Sequence, residues 1–503
     1  MHFFSVISAE LLLISLATAI GSLGPLPLPI RNSTSLPPRG HPWTSGLFRQ
    51  YINHKNHSLG TFDQRFWWNT DHWGGPGSPI LFQAPGESGV DPQYLRSSPR
   101  YLEGLLAETN KAALIALEHR YFGESLPFGK KFGVEEMQYL TLENAIEDLI
   151  HFANSVVLPF DRNGSSKPQN APWIISGCSY SGALAAWINV LSPGTFWAYH
   201  CGSAVVEAIS DLSGYNGQVE KAMPRNCSAD MKRVAAHFDQ VLGGGTSEER
   251  SELGKMFNVP SNSSDGDYAS VLSNAIGTWQ NVQFTSGHNN FTIMCDYVEN
   301  QWPGSNSSVP GADGVGTKRA VEGLSRWTRD ISSELPQLDK DSQTAWNWFL
   351  CNEPFEWWPI AGPDDGGIVP KALTRDYFLQ SCYNMFPAKD KQTFGIAKGH
   401  TVEQVNAKTG GWNKVNTTRL LWVNGELDPW LPATVSSEKR PGGPLKSTKE
   451  VPVWVIPKGS HCNEIKVANA DVNEGARRAI TGVDKQMKEW VNEFYELHGK
   501  TRT

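Results

Sequence analysis

The 503-residue chain has no basic excess: 44 Lys and Arg stand against 51 Asp and Glu, a net charge of −7. That excludes a nucleic-acid surface built on clustered positive charge. No H-E-x-x-H motif and no Cys/His spacing suited to zinc occurs, so neither a metal nor a cofactor is implied. No glycine run is followed by Lys-Ser/Thr, and Gly243-Gly244-Gly245 reads as a flexible loop rather than a phosphate cradle. No internal repeat is present. Beyond the first 20 residues no apolar run reaches the ~20 residues that a membrane helix needs. Seven cysteines are too few for a disulfide-dense scaffold at this length, and their odd number leaves one thiol unpaired in an oxidised monomer.

What is there is enough for a core. Apolar residues make up 39% of the chain and tryptophan is frequent, at 19, so wholesale disorder is excluded. The length suits two to four domains, or one elaborated enzyme fold. The first residues bear on the compartment. Phe3–Ile7 and Leu11–Ile20 are apolar, and Ala17-Thr18-Ala19 has the small-x-small form of a signal-peptidase site. We expect residues 1–19 to be a signal peptide and 20–42 a Pro-rich leader. Eight Asn-x-Ser/Thr sequons, at Asn32, Asn56, Asn163, Asn226, Asn262, Asn290, Asn306 and Asn416, agree with export as a glycoprotein. A secreted protein is expected, with a vacuolar or lysosomal destination as the alternative.

Five short apolar runs bounded by Gly, Pro or Ser read as buried strands: Pro79–Gln83, Ala112–Leu117, Trp173–Ser176, Arg419–Val423 and Val451–Ile456. Continuous hydrophobicity, without alternation, suits parallel strands covered on both faces. Helical spacing lies between them, at Leu142–Ala153 with Thr141 as N-cap and at Ile480–Phe494. Strands alternating with helices predict an α/β fold with a mostly parallel sheet. Residues 206–345 differ: they are polar, Gly- and Asn-rich and helical or irregular. They read as an insertion between a first body part, 43–205, and a second, 346–503.

The sharpest chemical signal is Trp173–Trp187. A buried strand runs into Gly177-Cys178-Ser179-Tyr180-Ser181-Gly182, and a helix-forming run follows. This is the context of a nucleophile elbow, which presents Ser179 at the strand's end. The usual G-x-S-x-G would put glycine at 181, where Ser181 stands; a plain Gly/Ser turn is the bland alternative. Cys178 is not the nucleophile, because such an elbow exposes residue 179. A serine needs a base, and the base an orienting acid. Asp428 follows the strand ending at Val423, with Glu426 as a competing acid. His461 follows the strand ending at Ile456. Both would sit with Ser179 at the carboxyl edge of one sheet. An oxyanion hole would draw on the N–H of Tyr180 and on Gly86 or Glu87, in the loop after Pro79–Gln83.

At these residues the sequence resembles the prolyl-carboxypeptidase family of serine peptidases. The likeness is carried by Gly60–Phe66 with Asn69, Pro79–Phe82, Glu118-His-Arg-Tyr-Phe-Gly-Glu-Ser125, Leu140–Ala145, Gly177–Trp187, Asn424–Trp430 and Gly459–Cys462. These segments span nearly all of the chain after residue 42. The resemblance implies an α/β-hydrolase fold with a helical cap, which the 206–345 insertion would form. It also implies a Ser179–Asp428–His461 triad and cleavage of peptides after proline, whether exo- or endo-acting. A proline pocket would be lined by Trp430 and Tyr180. The pair Cys351–Cys382 has the short separation of a disulfide of that family, and Cys227 with Cys295 could staple the cap. Cys178 and Cys462 flank residues that must touch, so they could bridge as well, leaving Cys201 free. His119-Arg120 could hold a substrate carboxylate, but tying loops together through the planar guanidinium is the favoured role. An esterase on the same fold, or a non-catalytic binding protein, are the competing functions.

Overall fold

The computed structural model describes residues 43–501 other than 306, 333, 334, 336, 364, 365 and 414–416. The expected signal peptide and leader, and the sequons at Asn32, Asn306 and Asn416, therefore lie outside the described residues. Eight strands form one sheet: β1 (Thr44–Tyr51), β2 (Thr61–Asn69), β3 (Ile80–Gln83), β4 (Ala113–Leu117), β5 (Trp173–Cys178), β6 (Ala198–Gly202), β7 (Leu420–Gly425) and β8 (Val453–Ile456). Their spatial order is β1-β2-β4-β3-β5-β6-β7-β8. The β1–β2 and β2–β4 pairs are antiparallel, and every later pair is parallel.

The five runs read as buried strands are β3, β4, β5, β7 and β8, but β8 lies at the sheet's edge with only Ile456 buried, so the expectation of burial on both faces fails there. Alternate residues of each central strand go to opposite faces, as the period of two requires. Ile80, Phe82, Ile115, Ile175 and Trp422 join one core, with the helices Leu142–Ser155 and Tyr180–Leu191. Leu81, Leu114, Ile174, Leu421 and Val423 join the other, with Leu102–Asn110 and Glu474–Leu497. Thr141 caps its helix as expected, accepting from Asn144 N.

Three strands escape hydrophobicity alone. β1 alternates exposed and partly buried positions, β2 is mixed, and β6 is short and carries a buried histidine. No strand lies between β6 and β7 among the described residues; that stretch is helical from Gly214 to Thr409, well past residue 345. Gly243 and Gly244 are not a loop. They close the helix Arg225–Gly244. Asn226 lies near the start of that helix, half-buried, with its side chain toward Glu299, whereas Asn56, Asn163, Asn262 and Asn290 are exposed.

The Glu118–Ser125 segment gathers the polar groups that brace the antiparallel side of the sheet. Arg120, wholly buried, binds Asp148 through Nε at 2.7 Å and donates to Ile52 O, Tyr139 O and Tyr51 O. With a second contact to Asp148 from Nη2, its five donors are spread over three chain segments, which is the loop-tying role, and no donor is left for a substrate. Glu118 holds Arg65 in a fork and also accepts from Val90 N and Ser125 Oγ. Removing one partner of a buried ion pair strands the other charge. Arg120→Met should therefore destabilise by roughly 3–5 kcal/mol in urea unfolding. A loss under about 1 kcal/mol would contradict this account.

Candidate active site

The elbow is built by close approach. Ser179 takes φ 64° and ψ −130°, a backbone region costly for a side-chain-bearing residue. It is held there at both ends: its N–H donates to Gly202 O at 2.9 Å, and its carbonyl accepts from Ala183 N at 2.9 Å. A Cβ on Gly177 would collide with the Ser181 carbonyl, and one on Gly182 would come within 2.8 Å of Gly202 O. The glycine demand thus falls on 177 and 182, and position 181 is free to be serine. Ser181 uses that freedom: its Oγ donates to Pro85 O at 2.9 Å, tying the elbow to the loop after β3.

Asp428 and His461 lie in the loops after β7 and β8. His461 Nδ1 is 3.0 Å from both Asp428 oxygens, and both residues are buried. Asp428 Oδ1 also accepts from Trp430 N at 2.9 Å. Glu426, the competing acid, is exposed and accepts instead from Lys458 N. Gly425 is required where the two loops cross, since a Cβ would strike Ser460 O. His461 Nε2 is buried and makes no hydrogen bond, to Ser179 Oγ or to any other group. Loose contacts of this kind are common before substrate binds.

A covalent tie keeps the two sides together. Cys178 and Cys462 form a disulfide with a Cα separation of 6.1 Å, so the residues on either side of the missing Ser–His bond are anchored to each other. Cys227–Cys295 and Cys351–Cys382 are the other two bridges, and Cys201 is free and buried. Among the described residues, Cys178, His461 and Cys462 are the one group with metal-ligand proximity, and its two sulfurs are bonded to each other.

The loop carrying Gly86 and Glu87 runs beside the elbow; a Cβ on Gly86 would lie 3.6 Å from Ser181 Oγ. Tyr180 opens the helix after Ser179, where N–H groups lack intrahelical acceptors. Its side chain is enclosed by Trp346 and Phe349, and its hydroxyl lies 2.9 Å from His119 Nε2. His119 Nδ1 must donate to the Arg120 carbonyl, so Nε2 accepts from the phenol. Trp430 is 7% exposed and its ring centroid stands 6.4 Å from that of His461. Sequence reasoning passed over two of its neighbours. Tyr215 packs edge-on at 5.2 Å, and Gln280 accepts from the indole N–H at 2.8 Å. Both lie in the helical stretch between β6 and β7, where no strand or motif flags a residue.

Burial also shifts titratable groups around the site. Desolvation pushes Glu87 up to about 7 and Glu464 up to about 8. It pulls His119 down to about 4 and His200 down to about 3. His200 sits under the elbow, with Nδ1 at 2.9 Å from Ser176 Oγ and Nε2 at 3.7 Å from Glu464 Oε1.

The mostly parallel sheet covered on both faces, with a strand–turn–helix elbow and two further loops at its carboxyl edge, defines an α/β-hydrolase. Residues 51–475 match the family Serine carboxypeptidase S28, and the chain belongs to that family of serine peptidases. It is 35% identical to "Serine protease vicPb" of Bipolaris victoriae over 97% of this chain and 95% of that protein. It is 24% identical to "Lysosomal Pro-X carboxypeptidase" of Pongo abelii over 97% of this chain and 96% of that one. Among solved structures it is similar to a proline iminopeptidase of Mycobacterium smegmatis, at 11% identity, a TM-score of 0.36, and coverage of 89% of this chain and 99% of that one.

The shifted groups set the pH range of stability. Glu87 and Glu464 lose their protons near 4.5 when unfolded but keep them to about 7 and 8 when folded. The folded state binds more protons in that window, so stability falls as pH rises through it. His119 and His200 bind protons below 6.5 when unfolded but only near 4 and 3 when folded, so stability falls as pH drops through that range. Between about 4.5 and 6.5 these four groups oppose one another, while Glu299, which burial also pushes up to about 7, adds to the decline with rising pH. We expect the melting temperature to be highest at the acid end of that window and to decline on both sides. Glu464→Gln, which cannot ionise, should flatten the alkaline decline; an unchanged alkaline slope would contradict the assignment.

Proposed function

We propose that the protein is a secreted serine peptidase that cleaves peptides on the carboxyl side of proline. Ser179 is the nucleophile, His461 its general base and Asp428 the orienting acid. The observation that carries this reading is the paired contact of His461 Nδ1 with both Asp428 oxygens, in a loop bonded through Cys462 to the residue before Ser179. With Nδ1–H engaged, His461 presents an unprotonated Nε2. That nitrogen takes the Ser179 proton as the hydroxyl attacks the carbonyl, and Asp428 stabilises the imidazolium that forms. The Tyr180 N–H and an N–H from Gly86 or Glu87 receive the oxyanion. His461 then returns the proton to the leaving amine, and water releases the acyl group by the reverse path.

Proline specificity is supported by the name of the Pro-X carboxypeptidase relative and by a flat aromatic wall, Trp430, beside His461. The insertion 206–345 is proposed as a helical cap over this edge. Export is supported by three disulfides, by the sequons and by the small-x-small end of the first apolar segment.

Ser179→Ala should abolish turnover and fluorophosphonate labelling while leaving the melting temperature near that of the parent. Asp428→Asn should lower kcat by about 10⁴. Retained turnover in Ser179→Ala overturns the triad. One proline peptide offered free, N-blocked and C-amidated then sorts the mode of attack. Loss on N-blocking marks a dipeptidyl peptidase, loss on amidation a carboxypeptidase, and internal cleavage of all three an endopeptidase.

A further inference from the structure

One short segment of the helical insertion is stitched into both loops that carry Asp428 and His461. Trp279 donates from Nε1 to Leu427 O at 2.7 Å, and its carbonyl accepts from Ser460 Oγ at 2.9 Å. Val282 O accepts from Asn463 Nδ2 at 3.0 Å. Gln283 donates to His461 O at 3.4 Å and accepts from Asn469 Nδ2 at 2.7 Å. Within this seam, Gln280 is the residue that reaches a side chain beside His461: its Oε1 takes the Trp430 indole N–H.

Trp430 is thereby held at opposite ends. Its backbone N–H is fixed by Asp428 and its indole N–H by Gln280, and the ring edge meets Tyr215. Both hydrogen bonds are buried. An aromatic wall selects a rigid ring by keeping one plane, and a directional hydrogen bond from the indole N–H favours one orientation of that plane.

We propose that Gln280 is a positioning residue for substrate preference: it fixes the plane of Trp430, against which the residue before the scissile bond packs. This rests on Trp430 being the pocket wall, as read above. Gln280→Leu keeps the bulk and removes the acceptor, whereas Gln280→Glu keeps an oxygen in place. With a proline peptide and its alanine counterpart, Gln280→Leu should lose about tenfold in kcat/KM on proline, mainly in KM, and little on alanine. Gln280→Glu should retain most of the preference.

A double-mutant cycle separates this role from general support of the fold. Trp430→Phe removes the same hydrogen bond from the other side, so it should reproduce the selectivity loss, and Gln280→Leu should add nothing to it. Equal losses on both peptides, or additive losses in the cycle, overturn the proposal. If Gln280→Leu does not fold, Trp430→Phe and Gln280→Glu carry the same test, and unchanged selectivity in Trp430→Phe is the overturning result. A parent enzyme that cleaves both peptides equally sinks the proline reading alone. The cycle is then scored on either peptide, and additivity there still overturns the Gln280 role.

Discussion

The site depends on one tight crossing, where β5 ends and the next helix begins. Ser179 occupies a backbone region that a serine avoids when left alone, and the surrounding chain over-determines it. Gly177 and Gly182 are small because backbone from the other side occupies their Cβ positions. The Gly202 carbonyl pins the serine's N–H from the neighbouring strand. Given this turn, residue 179 sits at the sheet's carboxyl edge, and the loops after β7 and β8 are the parts of the chain in reach. The Cys178–Cys462 bridge adds a covalent limit on how far those loops can part from the elbow.

The crossing stands on a sheet whose antiparallel flank is held by buried charge. Arg120 and Asp148, and Arg65 and Glu118, each have their remaining hydrogen-bonding capacity met by backbone or hydroxyl groups. That completeness matters, because a buried ion pair gains little over an apolar core unless every polar atom is matched. What it gains here is specificity of arrangement. Arg120 can satisfy its donors only if the segments around 51, 139 and 148 lie as they do.

The legible parts of the chain were those where one local rule acts alone. β3, β4, β5 and β7 are buried on both faces, so hydrophobic runs reveal them; β1, β2 and β6 need a partner before their burial makes sense. The elbow was readable because a strand, a small-residue turn and a helix are contiguous. Asp428 and His461 each follow a strand, so their meeting at the sheet's carboxyl edge was legible in the sequence, whereas the contact of Glu426 with Lys458 N was not. The spread of the helical stretch to Thr409 was hidden, since helices there pack on one another and carry no strand signal at either expected boundary. Gln280 and Tyr215 were invisible for a deeper reason: their partners are 150 residues away for Gln280 and in another loop for Tyr215.

Burial explains why the site's surroundings are as polar as they are without being charged. Glu87 and Glu464 are carboxyls enclosed with no cation close enough to keep them ionised, and His119 and His200 are imidazoles enclosed without a carboxylate able to protonate them. Each therefore stays neutral across mildly acidic pH. A second charge near Asp428 would compete for the proton or the orientation of His461. Neutral neighbours leave Asp428 as the carboxylate in direct contact with that imidazole, in a region of low dielectric where its attraction is strongest. Glu464, three residues beyond His461, lies 3.7 Å from His200 Nε2; ionised, it would set a second negative charge beneath the elbow and draw a proton toward His200.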